Sequence, residues 1–257
     1  MRIFETHAHY DDAKFPDRED VLKACHDAGI EYIINCASDI KSCRVTLALA
    51  EQYPWVYGAI GVHPHSASEM DEDNLDRLYN YLTASEKVVA VGEIGLDYHY
   101  EFSPRDVQQD WFVEQLELAK ELELPIIVHT REALEDTYNI LKDYGKGLVG
   151  GVIHSYNGSV EMAERFVEMG FHIGIGGMIT FPKVRKVIET VEKLPLDRLL
   201  VETDSPYLAP VPNRGKRNDS RNIPFIIEKI AEVRGVDPEV IAEATFENAC
   251  RLFGVPR

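Results

Sequence analysis

From Ile3 onward the chain repeats one unit, a short β-rich apolar run followed by a helical pattern, and few folds accept that repeat. Strand-like runs fall at Ile3–Thr6, Tyr32–Cys36, Val56–Gly61, Val88–Gly92, Ile126–Val128, Leu148–Ile153, His172–Gly176 and Leu199–Val201. Helical patterns separate them at Asp20–Ala28, Ser42–Gln52, Asn74–Leu82, Val107–Leu122, Ala133–Tyr144, Ser159–Met169 and Val184–Lys193, and a helical tail begins near Ile223. Ser38 or Asp39 is placed to cap the second helix before Tyr53-Pro54 ends it, and Gly29 and Gly170 suit helix ends. Eight such units in 257 residues predict an α/β protein of the (β/α)8 TIM barrel class, although an open doubly wound sheet has the same local pattern. No Pro/Gly/Ser linker or low-complexity tract divides the chain, so residues 1–257 are expected to form a single domain.

The polar residues decide between the two folds. In a parallel barrel the chemistry collects at the C-terminal ends of the strands. Strand one ends in His7-Ala8-His9, strand three in His63-Pro64-His65, strand four in Glu93, strand five in His129, strand six in His154, and strand eight in Glu202-Thr203-Asp204. Six of the nine histidines therefore lie at strand ends, where chance would put about one or two. Residues i and i+2 of a strand share a face, so His7 and His9 can reach one ion. A lone His-x-His is more often a surface or core pair, and a lone histidine closing an apolar strand is more often satisfied by a carbonyl. Glu93, set between Val88–Gly92 and Ile94-Gly95, needs a cation or strong donors if it is ionised. Four imidazoles and two carboxylates exceed the needs of one tetrahedral ion and suit two. The expected arrangement is a binuclear centre with His7, His9 and Asp204 on one ion, His129 and His154 on the other, and Glu93 bridging. Such donors suit two divalent ions drawn from Zn, Mn, Ni, Fe or, more weakly, Mg.

The formal charge of −17 repels extended polyanions at long range and excludes a protein that grips many duplex phosphates. The one dense basic cluster is Arg214-Gly215-Lys216-Arg217. Cys25, Cys36, Cys43 and Cys250 show neither a C-x-x-C pair nor regular spacing, so no disulfide framework or thiolate cage is expected. The N-terminus has no long apolar segment, and no apolar run reaches membrane-span length. A cytoplasmic protein without membrane contact and without an obligate protein partner is expected.

Taken in order, these motifs resemble those of the TatD-type metal-dependent deoxyribonuclease family within the amidohydrolase superfamily. Glu5-Thr6-His7-Ala8-His9 is similar to its Asp-Thr-His-x-His opening, and Gly61–His65 and Gly92–Tyr98 match its next two motifs. His129–Ala133, His154–Ser159, Glu202–Leu208 and Arg214–Asn218 follow in sequence, so the resemblance spans nearly the whole chain. It implies a (β/α)8 barrel, the ligands above, hydrolysis of DNA phosphodiester bonds by a metal-activated water, and Asp204 as the residue that orients or deprotonates that water. Glu5 departs from the usual Asp, and Tyr156-Asn157 stands where Phe-Ser is common, which touches substrate preference. Glu93 supplies directly the carboxylate that other branches make from a carbamylated lysine.

Arg131, read as opening the helix after strand five, Arg217 and His63 are the expected substrate contacts, the guanidinium fork suiting phosphate. Tyr98 and Tyr207 could stack a base, with buried packing the plainer role. A positive mouth in an acidic protein favours attack at strand ends, so 3′-to-5′ exonuclease action on single strands is expected. The alternative is hydrolysis of a small ester, lactone or amide, or of aminoacyl-tRNA, on the same site.

Overall fold

The computed structural model describes residues 1–257. Eight parallel strands run in the order β1 to β8 without reversal: β1 (Ile3–Ala8), β2 (Ile30–Cys36), β3 (Val56–Ile60), β4 (Val88–Asp97), β5 (Ile126–Arg131), β6 (Gly151–Ile153), β7 (His172–Ile175) and β8 (Leu199–Val201). The chain then returns β8 to β1: the Asp204 N–H donates to His7 O at 3.0 Å and the His9 N–H to Ser205 O at 2.7 Å. A doubly wound sheet would reverse its order midway, so the topology is that of the (β/α)8 barrel. Helices α1 (Arg18–Asp27), α2 (Ile40–Gln52), α3 (Glu72–Leu82), α4 (Arg105–Glu121), α5 (Leu134–Tyr144), α6 (Val160–Glu168) and α7 (Arg185–Lys193) connect the strands.

The single tail expected after Ile223 is two helices, α8 (Ile223–Arg234) and α9 (Pro238–Phe253). Gly235 turns left-handed at φ 66°, the Asp237 side chain caps the new N-terminus, and Pro238 opens it. That is the Gly-stop, Pro-start asymmetry that divides one apolar pattern into two helices. Asp39, rather than Ser38, caps α2, its carboxylate accepting the Ser42 N–H at 2.6 Å while Ser42 Oγ accepts the Asp39 N–H at 2.8 Å. All four cysteines are free and buried, and no helix is long and apolar enough to cross a membrane.

Backbone contacts group the chain into two units, Met1–Asn35 with Ser155–Arg257, and Cys36–His154. In the first, β1 pairs with β2 and β7 with β8. Helix α9 covers the outside of β1 with Phe246 and Phe253, each 6.2 Å from Phe4 between ring centroids. Burying a phenyl ring there contributes roughly 1.5–3 kcal/mol. Asn248 of α9 donates to Leu196 O and Leu199 O, closing the backbone at the entry to β8.

In the second unit β3 to β6 are paired in order. Two buried glutamines of α4, Gln108 and Gln115, pin β3 and β4 backbone beyond the point where the β3–β4 ladder stops. Gln115 exchanges hydrogen bonds with the Val62 N–H and C=O at 2.7 and 3.1 Å, and Gln108 does so with Asp97 at 2.8 and 3.0 Å. This satisfies buried peptide groups that would otherwise cost about 1–3 kcal/mol each.

Strands β1, β4 and β5 continue beyond their apolar runs, so His7, Glu93, Asp97, His129 and Arg131 are strand residues rather than loop residues. Arg131 in particular closes β5 and does not open a helix. Gly95 makes the continuation possible: its φ is +136°, and a Cβ there would stand 2.0 Å from His129 O. Gly95→Ala is therefore expected to lower unfolding free energy by about 3 kcal/mol or more, read from chemical denaturation; a loss under about 1 kcal/mol would show that β4 and β5 have room to spare.

Candidate metal centre

The first cluster lies where β1 and the segment after β8 meet. His7 Nε2 and His9 Nε2 are 3.1 Å apart, and Asp204 Oδ1 is 3.8 and 3.5 Å from them. Donors that share an ion at about 2.0–2.2 Å stand roughly 3 to 3.5 Å from one another. Two imidazole nitrogens and a carboxylate oxygen converging at these distances fit a divalent ion of the Zn or Mn type. Asp204 holds its position through a left-handed backbone, φ 59°, rare for a residue with a Cβ.

Glu5 fixes the frame beneath that cluster. Its Oε1 accepts the N–H groups of His7 and Thr203 at 3.1 and 2.9 Å, and its Oε2 lies 2.5 Å from Thr203 Oγ1. Thr203 Oγ1 in turn receives the Ser205 N–H at 3.1 Å. Burial pushes the Glu5 carboxyl up to about 8, against the hydrogen bonds from Thr203 and His7 that oppose the rise. With its carboxyl pushed up to about 8, Glu5 holds a proton near neutrality in the metal-free protein, while Thr203 Oγ1 donates to its Oε2.

The second cluster belongs to β4, β5 and the ends of β3 and β6. Glu93 Oε1 lies 2.9 Å from His129 Nδ1, 3.3 Å from His154 Nε2 and 3.8 Å from His63 Nε2. His63, expected to touch substrate, sits among these donors. It is buried, and its Nδ1 accepts the His65 N–H at 3.1 Å, which leaves Nε2 to face Glu93. Burial, helped by neighbouring His129, keeps its pKa well below the ordinary histidine value.

Asp97 is the residue that the sequence reading did not single out. Its Oδ1 accepts the N–H groups of His99 and Tyr100, and its Oδ2 takes both His65 Nε2 and His129 Nε2 at 3.0 Å. Burial alone would raise its pKa, but the hydrogen bonds from His129, His65 and the Tyr100 N–H hold it well below the usual carboxylate range. In return, although burial disfavours its charge, the bonds to Asp97 and Glu93 raise the pKa of His129. A carboxylate on the far nitrogen of a ligating imidazole fixes its tautomer and aim. The available signal was spacing: Glu93 and Asp97 are four apart on one strand and share a face.

Glu202 is likewise buried, and it accepts the Ser155 N–H at 2.5 Å. Gly174 of β7 makes room for it, since a Cβ there would meet its carboxylate at 2.4 Å. Of the expected substrate contacts, Arg217 is held in a two-pronged ion pair with Asp17 at 2.5 and 2.8 Å, and also donates to Lys14 O. Arg131 lies 4.7 Å over the ring of Tyr100. Tyr98 is buried, with its hydroxyl donating to Asp136 at 2.8 Å. Tyr207, expected to be packed away, is 43% exposed and donates to Asp12 at 2.6 Å.

A parallel (β/α)8 barrel whose strand ends carry imidazole and carboxylate clusters defines the class of metal-dependent barrel hydrolases. The model of the TatD related DNase family matches residues 4–254. The chain is 42% identical over 254 residues to the uncharacterized metal-dependent hydrolase YabD of Bacillus subtilis (strain 168), covering 98% of this chain and 99% of that one. It is 35% identical over 247 residues to the 3'-5' ssDNA/RNA exonuclease TatD of Rahnella sp. (strain Y9602), covering 93% of each. The crystal structure of YJJV, a TatD homologue from Escherichia coli K12, superposes with a TM-score of 0.93 at 37% identity over 99% of both chains. The chain belongs to the TatD family and is a metal-dependent hydrolase.

Two outcomes follow from this geometry. Between about pH 4.5 and about pH 8 the folded metal-free protein holds the Glu5 proton that the unfolded chain has released, so this group's contribution to stability falls as pH rises through that window. Comparing urea midpoints near pH 5 and pH 8.5, Glu5→Gln should lose less stability than the parent; parallel losses would show that Glu5 does not titrate there. Asp97→Asn should weaken zinc binding about 10- to 100-fold in chelator competition, and unchanged affinity would mean that Asp97 does not aim His129.

Proposed function

We infer that this hydrolase cleaves phosphodiester bonds of DNA, working as a 3′-to-5′ exonuclease on single strands. The observation that carries the reading is the His7, His9 and Asp204 triad in a chain 35% identical to an exonuclease of that description. Two divalent ions are assigned, one to His7, His9 and Asp204, the other to Glu93, His129 and His154 with His63 beside them. Divalent ions in such sites polarise the phosphoryl oxygen and make water a competent nucleophile near neutrality.

The side chains then have separable tasks. Asp204, 18% exposed at its side chain, is placed to accept the proton of the attacking water and to orient it. Glu93 and Asp97 keep the histidines of the second cluster aimed. Arg131, free of any carboxylate partner that would occupy its fork, is the phosphate contact of choice. Arg217 could take a phosphate only by giving up Asp17, so a role for it belongs to a later contact along the strand.

The test is apo-protein reconstituted with zinc, manganese or magnesium and assayed on a 3′-labelled and a 5′-labelled single strand. The expected result is stepwise loss from the 3′ end, with binding of about two ions per chain and a fall of 10²-fold or more for Asp204→Asn. Turnover of a lactone or a small carboxylic ester in place of DNA would overturn the substrate assignment. Undiminished activity in Asp204→Asn would overturn the role of the triad.

A further inference from the structure

Beside the second cluster stand two exposed aromatic rings that take no part in holding it. Tyr100 and Phe102, in the segment after β4, are stacked with centroids 5.3 Å apart and planes 5° from parallel. Phe102 is 67% exposed, more than any other large apolar side chain, and Tyr100 is 49% exposed. Leaving aromatic rings in water forgoes the stabilisation of burying them, and apolar surface next to a site marks contact with something. The rings are tied to the cluster through His65, whose ring centroid lies 4.8 Å from that of Phe102 and 5.6 Å from that of Tyr100, both in edge-to-face contact. The same imidazole shares Asp97 Oδ2 with His129, and the Arg131 guanidinium lies over the Tyr100 ring.

We propose that Tyr100 and Phe102 form a base-stacking subsite in which the open face of Phe102 receives one nucleobase of a single strand while Arg131 holds a neighbouring phosphate. The identity of the substrate rests on the nuclease reading above. Charge argues for this kind of contact. A chain of net charge −17 gains little from gripping many phosphates, and its Arg217 fork is already occupied by Asp17. Stacking carries no net charge, tolerates any base, and survives salt. It also selects strandedness, because a base inside a duplex already has neighbours on both faces.

The experiment compares the parent and Phe102→Ala on two oligothymidylate strands, one intact and one with abasic residues at its three terminal positions. Fluorescence anisotropy with the zinc-loaded protein gives affinity, and gel assay gives cleavage. Phe102 is exposed, so its removal leaves folding intact, and Phe102→Trp serves as the conservative variant. Phe102→Ala should weaken binding of the intact strand about 5- to 100-fold, leave the abasic strand unchanged, and flatten the parent's discrimination between the two; Phe102→Trp should restore it. Cleavage by the parent without such discrimination, or equal losses on both strands, overturns the subsite and leaves the nuclease reading standing. Base-dependent binding lost in Phe102→Ala, with no cleavage by the parent, keeps the subsite and overturns the nuclease reading. Neither binding nor cleavage overturns both.

Discussion

Ionisable groups cannot stay charged in a protein interior without partners, and this molecule places an unusual number of them there. Glu5, His7, Glu93, Asp97 and Glu202 are all 3% exposed or less. Each unpaired charge would cost several kcal/mol, so the strand ends are organised around satisfying them. Glu5 does so by keeping its proton and accepting two peptide N–H groups. Asp97 does so with two peptide N–H groups and two imidazoles. What is left over, with donors facing a common point and no hydrophobic reason to be there, is the pair of imidazole and carboxylate clusters. A cation satisfies them in a way that no side chain of the cluster can.

The two clusters differ in how firmly they are held before a metal arrives. In the first, the ligands sit on β1 and on a segment tied to β1 by the Asp204 and His9 peptide hydrogen bonds. Its two Nε2 atoms stand 3.1 Å apart, a separation that a single proton on either one bridges as an N–H···N hydrogen bond. In the second, His129 has a carboxylate at each nitrogen. A metal held by His129 would compete with a proton that Glu93 and Asp97 together stabilise, so its binding would release protons. The Asp97 bond to Nε2 fixes the ring and leaves Nδ1 to Glu93.

The order of strands and the polar residues at their ends were legible in the sequence because both follow from periodicity. Apolar runs of three to six residues locate the strands, and a His-x-His at a run's end projects from one face. The C-terminal extensions of β4 and β5 were not legible. They depend on Gly95, whose lack of a Cβ lets β4 approach His129 O, and a glycine in a strand reads from sequence as an interruption. Asp97 was hidden by the same truncation, because a strand that ends at Gly92 leaves Asp97 in a loop with no defined face. A glycine weakens a strand pattern in the same way at Gly174 of β7, where the missing Cβ makes room for the Glu202 carboxylate. Arg217 reads as a free cation until the fold brings Asp17, 200 positions away, against it.

On the proposed nuclease reading, acidity and nucleic-acid chemistry would be reconciled by where the charge sits. Two divalent ions would bring the net charge only to about −13, so a strand is still repelled at a distance beyond the Debye length of roughly 8–10 Å. Inside that distance the cations and Arg131 dominate, and contacts made there need not be numerous. A protein in this position gains more from neutral surface than from additional cations, because carboxylates on an acidic exterior compete for a cation, as Asp17 does for Arg217. Exposed rings escape that competition. Stacking on a base is indifferent to the surrounding charge, so on the proposed nuclease reading aromatic surface, rather than a basic stripe, would be the device that holds a strand end in place.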